Sequence, residues 1–473
     1  MKAKKSENFH EWYPEAILTS KLADYAPVHG CIIFRERGYA VWEKIQQTLD
    51  AKIKAMGVKN AYFPLFIPES LLKKEAEHFE GFVPEVAWVE KKDGDEERVA
   101  LRPTSETVIY YMYAKWIRSH RDLPLKLNQW CNVVRWEIKQ TRPFLRTREF
   151  LWQEGHTAHA TKEEAEKQVK DALDAYVDLV ENTLAIPVVA GKKTKVETFA
   201  GAVYSLSIES LMPDGRALQM GTSHYFGDHF PKMFGIKYMS EADGVEKFAH
   251  TTSWGASTRL IGAAVMVHGD DKGLVLPPAV APEQAVIIPI FKEETKEKVF
   301  AKCEEFRKKL EAAGIRCIAD FDDSHTAGWK FAEYELYGIP LMIEVGPKDI
   351  EKKQVMVARR DTGEKLAVPE AHLEKEVEKF LVAIQSNLLA KARKFLEDNT
   401  IKVKTYPELK KALADRKMAM AAHCGNDTCE QKIKDETEGG TIRCIPLKQE
   451  KVSDKCAACG LPAKYTVLIA KAY

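Results

Sequence analysis

A chain of 473 residues exceeds one ordinary domain, and at about 150 residues per domain it implies roughly three. Hydrophobic residues at 45% and charged residues at 30% exclude a disordered or collagen-like chain and leave enough apolar surface for real cores. Lys+Arg 71 against Asp+Glu 70 gives a net charge of +1, which advertises no nucleic-acid partner; no apolar run approaches the roughly 18 residues of a spanning helix, and MKAKKSENFH lacks the apolar segment of a signal peptide, so a soluble cytoplasmic protein is expected.

Trp42, Ile45, Leu49, Ile53 and Met56 recur at spacings of three and four, predicting an amphipathic helix that Gly57 can end. Residues 60–67 are aromatic and β-branched and read as a strand, which Pro64 confines to an edge or an interface. After Pro103 a helix is expected over 105–119, then a strand over 126–135. A polar, Arg-rich loop at 139–146 leads to a strand over 148–159, so the two strands read as an antiparallel hairpin with a long connection. Thr161 to Glu164 reads as a capping box for a helix with the stripe Ala165, Val169, Leu173, Tyr176 and Val180. Strands follow at 195–200, 204–209, 216–226 and 248–253, then a helix over 257–267 whose Gly262, Ala263 and Ala264 allow close packing. Pro277, Pro278 and Pro282 punctuate the chain as a linker does. Strands at 285–290, 315–319 and 339–345 then alternate with helices at 295–312 and 327–337, which predicts a small α/β domain. From about residue 390 the chain turns basic and then Cys-rich, suggesting a third, metal-stabilised unit.

Alternate strand residues share a face, so Phe150, Trp152, Glu154 and His156 line one side of their strand and describe a pocket wall. The plainer alternative pairs Glu154 with His156 inside a packed face. Arg135 and Glu137 share a face on the preceding strand, where an arginine fork can hold a phosphate and a carboxylate can accept from an amine, although surface ion pairs of this kind are common. Thr104 and Glu106 follow Pro103, which suits a site and a helix N-terminus equally. Arg259 falls in the first turn of the small-residue helix, where the guanidinium and the positive helix end can address one anion; a capped helix with an exposed Arg is the bland alternative. No P-loop and no Gly-x-Gly-x-x-Gly after a strand is present. Cys424 and Cys429 stand at ligand spacing, as do Cys456 and Cys459, and four thiolates suit a structural zinc ion; Cys444, between the pairs, leaves the ligand choice open.

Together these pieces resemble a class II aminoacyl-tRNA synthetase, specifically a prolyl-tRNA synthetase of the archaeal and eukaryote-like type, over nearly the whole chain. The helix 36–56 with the strand reaching Pro64 resembles motif 1, Arg135 through His156 motif 2, Gly255 to Gly262 motif 3, and Thr104 to Glu106 the Thr-x-Glu loop. The run Phe144 to His156 separates it from the threonyl, glycyl and histidyl enzymes. The resemblance implies an α+β fold: a catalytic domain on an antiparallel sheet over 1–280, an α/β anticodon-binding domain over 281–390 and a small zinc-binding α+β domain over 391–473. It implies a homodimer through motif 1, tRNA(Pro), L-proline and ATP as substrates, Mg2+ with ATP, and structural zinc on Cys424, Cys429, Cys456 and Cys459. Only about 100 residues separate the second motif from the third, so the large editing insertion of the bacterial type is missing.

Carried over by residue, Thr104, Glu106, Arg135, Trp152, Glu154, His156, Phe199 and Ser253 surround proline. Arg135, Glu137, Arg146, Thr147, Gln219, Thr222, Ser257 and Arg259 hold ATP, with Phe150 stacked on adenine and with Arg135 and Arg259 stabilising the reacting phosphate. Gln219 and Thr222 differ in strand parity, so Gly221 must sit at a bulge or turn if both reach the nucleotide. The terminal Tyr473 is expected to fold back with its carboxylate towards the site, and Glu344, Lys353 and Arg360 are the candidates that face the anticodon. The competing readings are a sister synthetase for threonine, glycine or histidine and a noncatalytic synthetase-like RNA-binding module, which usually loses a motif arginine that this chain retains.

Overall fold

The computed structural model describes residues 1–78, 85–94 and 96–473. Its centre is an eleven-stranded sheet running in the order Thr400–Val403, Met418–His423, Tyr465–Ala472, Gly440–Pro446, Val189–Lys192, Tyr204–Leu211, Arg216–Gly227, His250–Ser257, Glu149–His159, Leu125–Val134 and Lys59–Asn60. Neighbours are antiparallel except for the outermost pair at each end. The C-terminal strands thus continue the sheet that carries the motif strands: Ile445 pairs with Lys192, and Lys471 lies parallel to Arg216.

One face is covered by the helices Glu36–Ala55, Lys162–Asp178 and Arg259–His268, whose stripes Ile45, Leu49 and Ile53, Val169 and Leu173, and Leu260 and Ile261 meet in one core. Full burial of such a side chain contributes about 1.5–3 kcal/mol. Gly262 is needed for this approach, since a Cβ there would fall 2.6 Å from both the Leu145 side chain and the Tyr13 hydroxyl. The other face packs Tyr110 and Tyr113 of the helix Glu106–Trp116 against Phe226 and Phe230. The α/β expectation beyond the prolines is met by a five-stranded sheet in the order Cys317–Ala319, Ala285–Pro289, Leu341–Val345, Gln354–Arg359 and Lys365–Pro369. Its first three strands are parallel and the last two antiparallel. The helix Leu373–Asp398 closes this unit and carries the chain past residue 390.

Several expected elements move. The strand expected over 60–67 divides into Lys59–Asn60 and Phe66–Pro68. Between them the backbone is bonded by side chains, Gln129 accepting from the Phe63 N–H at 2.9 Å and Arg102 donating to the Phe63 carbonyl at 2.7 Å. Residues 195–200 form no strand, because Thr194 Oγ1 accepts from the Glu197 N–H at 3.4 Å and Thr198 donates back to the Thr194 carbonyl at 2.7 Å, a local turn that outcompetes the ladder. The strand expected over 248–253 runs over His250–Ser257, while Phe248 belongs to a separate hairpin, and the following helix starts at Arg259. Arg135 and Glu137 share no strand face: the strand ends at Val134, and both residues lie in the turn that follows, where the Ile138 N–H donates to the Arg135 carbonyl.

Candidate active site and metal centre

The central strands floor a cavity of about 190 Å³, the share of roughly six liquid waters. Of the residues expected around proline, Thr104, Glu106, Arg135, Trp152, Glu154, Phe199 and Ser253 line it. Glu106 accepts from the Thr104 hydroxyl and, at 2.8 Å, from Ser253 Oγ. Glu154 accepts from Ser105 and Gln129 on one oxygen and from His156 Nε2 at 2.9 Å on the other. Burial alone would raise the Glu154 carboxyl, but these bonds outweigh it and hold it below its ordinary value. His156 is 1% exposed and lies behind Glu154 with its ring edge-on to Tyr110, so it orients the carboxylate and does not line the cavity. Both readings of this face hold in part: a pocket wall with an internal pair behind it.

A second cavity of about 120 Å³ shares Arg135, Trp152, Gln219 and Thr222 with the first and adds Phe150, Ser257 and Arg259. Gln219 and Thr222 reach it together because the register slips between Gln219 and Gly221, leaving Met220 as the extra residue of the bulge. The bulge is therefore one position earlier than expected. Arg259 donates to the carbonyls of Leu145 and Gln219, both at 3.1 Å, and Arg135 to that of Pro103 at 3.4 Å. Burial first, and then the charge of Arg135, push Arg259 down to about 10. Two cations held by carbonyls, without a carboxylate partner among the described residues, form a site for an anion. Glu137 and Arg146 stand exposed outside both cavities, and Thr147 is buried with its hydroxyl donating to the Glu149 carbonyl at 2.6 Å.

Lys193, Glu197, Ser205, His224, Trp254 and Gly255 also line the first cavity, and sequence reasoning missed them. Strand parity could have found His224, two residues beyond Thr222. Ser205 Oγ accepts from the Phe199 N–H at 3.2 Å and shares a hydrogen bond of 2.7 Å with His224 Nδ1. His224 is pushed down to about 3, by burial first and then by the charges of Lys193 and His156. The unfolded chain binds this proton near the ordinary value of about 6.5, so the group costs stability as pH falls below that, by up to about 1.4 kcal/mol per pH unit. Urea unfolding at pH 7, 6 and 5 checks the sign: His224→Asn loses less stability on acidification than the parent chain.

Lys193 had no sequence signal, because distant partners place it. It is 4% exposed and donates to Glu209 Oε1 at 2.7 Å and to the Arg443 carbonyl at 2.8 Å, while the Arg443 guanidinium donates to Glu209 Oε2 at 3.2 Å. The C-terminal segment thereby fixes a wall of the first cavity. The chain end is also pinned: the Tyr473 N–H donates to the Ala217 carbonyl at 3.2 Å, its hydroxyl to Asp214 at 2.5 Å, and its ring lies between Arg142 and Arg216.

The sulfurs of Cys424, Cys429, Cys456 and Cys459 lie within 4.8 Å of one another, although 26 residues separate the two pairs. Tetrahedral zinc with bonds of about 2.3 Å needs sulfurs about 3.8 Å apart, so the set fits the ion. Backbone N–H groups of Ala458 and Cys459 point at Cys456, as a charged thiolate requires. Cys444 is fully buried among Leu211, Met418 and Leu468 and is not in this group.

Residues 88–268 match the family model for the tRNA synthetase class II core domain (G, H, P, S and T), and residues 284–380 that for the anticodon binding domain. Those two do not separate the sister enzymes; residues 406–473 match the model for the prolyl-tRNA synthetase C-terminal region. Proteins named proline–tRNA ligase are similar along the whole length. That of Natranaerobius thermophilus is 51% identical over 459 residues, covering 96% of this chain and 94% of that one. That of Symbiobacterium thermophilum is 50% identical over 478 residues (99% and 97%), and that of Clostridium novyi 52% over 471 (99% and 97%).

The chain belongs to the prolyl-tRNA synthetase family.

In this prolyl-tRNA synthetase family member the anticodon candidates differ in setting. Lys353 is exposed at a turn, and Glu344 pairs with Lys365 at 2.5 Å. Arg360 must be withdrawn: it is 5% exposed, clamps Asp270 with both terminal nitrogens at 2.6 and 2.7 Å and donates to the Glu335 carbonyl at 2.9 Å, so three of its five N–H donors tie the second sheet to the end of the motif 3 helix.

Proposed function

We propose that this chain activates L-proline with ATP and transfers it to the 3′-terminal adenosine of tRNA(Pro). One observation carries the reading: hydrogen-bonded carboxylates, Glu106 and Glu154, share a cavity for a small zwitterion with Arg135, and that cavity opens on an anion site completed by Arg259. The secondary ammonium of proline meets the carboxylates and its ring meets Trp152 and Phe199. Its carboxylate attacks the α-phosphorus of ATP in line, forming the acyl–phosphate bond and expelling pyrophosphate. A ribose hydroxyl of the terminal adenosine then attacks the acyl carbon, losing its proton as AMP leaves. No side chain acts as nucleophile; Arg135 and Arg259 stabilise charge on the five-coordinate phosphorus, and Mg2+ arrives with the ATP phosphates. Exchange of pyrophosphate into ATP, run with proline, alanine, cysteine, threonine, glycine and histidine, tests this: proline must give the fastest exchange, and no exchange with any of them returns the noncatalytic module.

Residues 1–280, 281–390 and 391–473 are the catalytic, anticodon-binding and zinc-binding parts, with Lys353 and Glu344 the remaining anticodon candidates. Glu137, Arg146 and Thr147 stay assigned to ATP. The four cysteines hold one zinc ion, whose chemistry is to cross-link the C-terminal segment, and the terminal carboxylate of Tyr473 stays near the site. A homodimer is supported by large apolar side chains left exposed near motif 1, among them Tyr25, Ile33 and Tyr39. Among the described residues no helix is long and apolar enough to cross a membrane, and the cytoplasm is the proposed place of work. Removing a methylene from the substrate weakens binding by only about 1–3 kcal/mol, so alanine and cysteine are activated measurably and, without an editing insertion, stay on the tRNA. Thin-layer assay of alanyl-tRNA(Pro) made and kept by this chain checks it; rapid hydrolysis by the chain alone would refute it.

A further inference from the structure

The second step needs an opening that the adenylate does not block. The prolyl group fills the first cavity, and its AMP half fills the one that Arg135, Gln219 and Thr222 share with it. A third cavity, of about 860 Å³, meets the first at Lys193 and Phe199, which line both. Its lining carries three lysines and the rings of Phe199, His229 and Tyr465. Lys192 and Lys195 stand exposed on it, Lys195 has no ion-pair partner among the described residues, and no carboxylate is among the lining side chains. Tyr465, whose ring lies near-parallel to that of His423 with centroids 6.2 Å apart, and His229 also line it, and His229 is held through Nδ1 by the Gly201 carbonyl at 2.9 Å. Unpaired lysines that track phosphates, with rings on which bases can lie, are how proteins hold unpaired strands.

We propose that this groove, between the segment 192–203 and the C-terminal strand carrying Tyr465, receives the unpaired 3′ end of the tRNA and delivers its terminal ribose to the adenylate past Lys193 and Phe199. The proposal rests on the synthetase reading above and adds the route. Lys192 and Lys195 neutralise phosphates, and Tyr465 stacks on a base. The mouth used by ATP stays occupied by AMP throughout the transfer, so the two substrates enter from different sides.

The Lys192→Ala/Lys195→Ala double variant tests it. Proline-dependent ATP–pyrophosphate exchange without tRNA should stay within about twofold of the parent chain, which also reports that the site is folded. The KM for tRNA(Pro) should rise about tenfold, and the salt dependence of kcat/KM should become shallower by about one unit in the log–log slope, in line with the loss of one to two phosphate contacts. An acceptor-stem minihelix, which lacks the anticodon, should lose the same factor. Unchanged tRNA kinetics and salt slope would overturn the groove. A second measurement needs no variant: tRNA oxidised at its terminal ribose to the dialdehyde, trapped on the parent chain with cyanoborohydride, should label Lys192, Lys193 or Lys195. Label found on Lys139 of the motif 2 loop instead would also overturn the proposal. Absence of proline-dependent exchange in the parent chain removes the synthetase reading itself, whereas normal exchange with unaltered tRNA kinetics in the variant removes only the route.

Discussion

Arg135→Ala lowers proline-dependent ATP–pyrophosphate exchange by about a hundredfold to a thousandfold while the melting transition stays in place. The size follows from removing one preorganised donor aimed at developing charge, worth about 2.7–4 kcal/mol in a water-poor site. The unchanged fold follows from local geometry. Arg135 gives a single long hydrogen bond, 3.4 Å to the Pro103 carbonyl, and otherwise lies over the rings of Phe150 and Trp152. Its removal leaves no buried carboxylate without a partner, because Glu106 keeps Thr104 and Ser253, and Glu154 keeps Ser105, Gln129 and His156. The loss should fall on kcat/KM for both proline and ATP, since the guanidinium lines both cavities. Near-normal turnover with a normal melting curve would remove Arg135 from the mechanism. Arg259→Ala, by contrast, frees the Leu145 and Gln219 carbonyls and should act mainly through ATP.

Chelation of the metal, or Cys456→Ser, should unfold the C-terminal end of the sheet and weaken proline use with it. Apparent zinc-binding energies in small cysteine-rich units are about 10–16 kcal/mol, as large as the whole stability of an ordinary domain, about 5–15 kcal/mol. Three of the cysteines belong to a core that also holds Leu409, Leu413, Ile433, Ile442, Val467 and Ile469, so losing the cross-link weakens that core. The damage cannot stay local: Ile445 pairs with Lys192 and Arg443 holds Glu209, so the wall at Lys193 loosens. Metal analysis should find one zinc per chain. In the stripped protein, amide exchange should accelerate in Gly440–Pro446 and Tyr465–Ala472 while Leu125–Val134 stays protected. Full protection of the C-terminal strands without metal would sink this account.

The helices were legible because their signal is periodic and local. The stripe from Trp42 to Met56 yields Glu36–Ala55, and the one from Ala165 yields Lys162–Asp178. The motif 2 hairpin was legible for the same reason, pairing from Leu125 with Ala158 to Val134 with Glu149. Strands failed where side chains offered the backbone other partners: Thr194 turned 195–200 away from the sheet, and Gln129 with Arg102 took over the amides and carbonyls around Phe63. In the site, residues carried by motif spacing came together, including Thr104, Glu106, Arg135, Glu154 and Ser253. The depth of each was a different matter, as His156 shows by sitting behind Glu154.

By itself the sequence determined the chemistry available: carboxylates and arginines at motif spacing, an aromatic strand face, two cysteine pairs, and a chain without room for a large insertion between the second and third motifs. These are properties of residue type and short-range spacing, which strand and helix periods convert directly into faces. Only the tertiary structure decided that the C-terminal strands join the catalytic sheet, that Arg443 and Glu209 place Lys193 in the cavity wall, that Arg360 clamps Asp270, and that the four cysteines converge while Cys444 does not. Each of these contacts joins residues far apart in the chain, where geometry is set by which buried charges find a partner and which apolar faces meet, and no local period records that outcome.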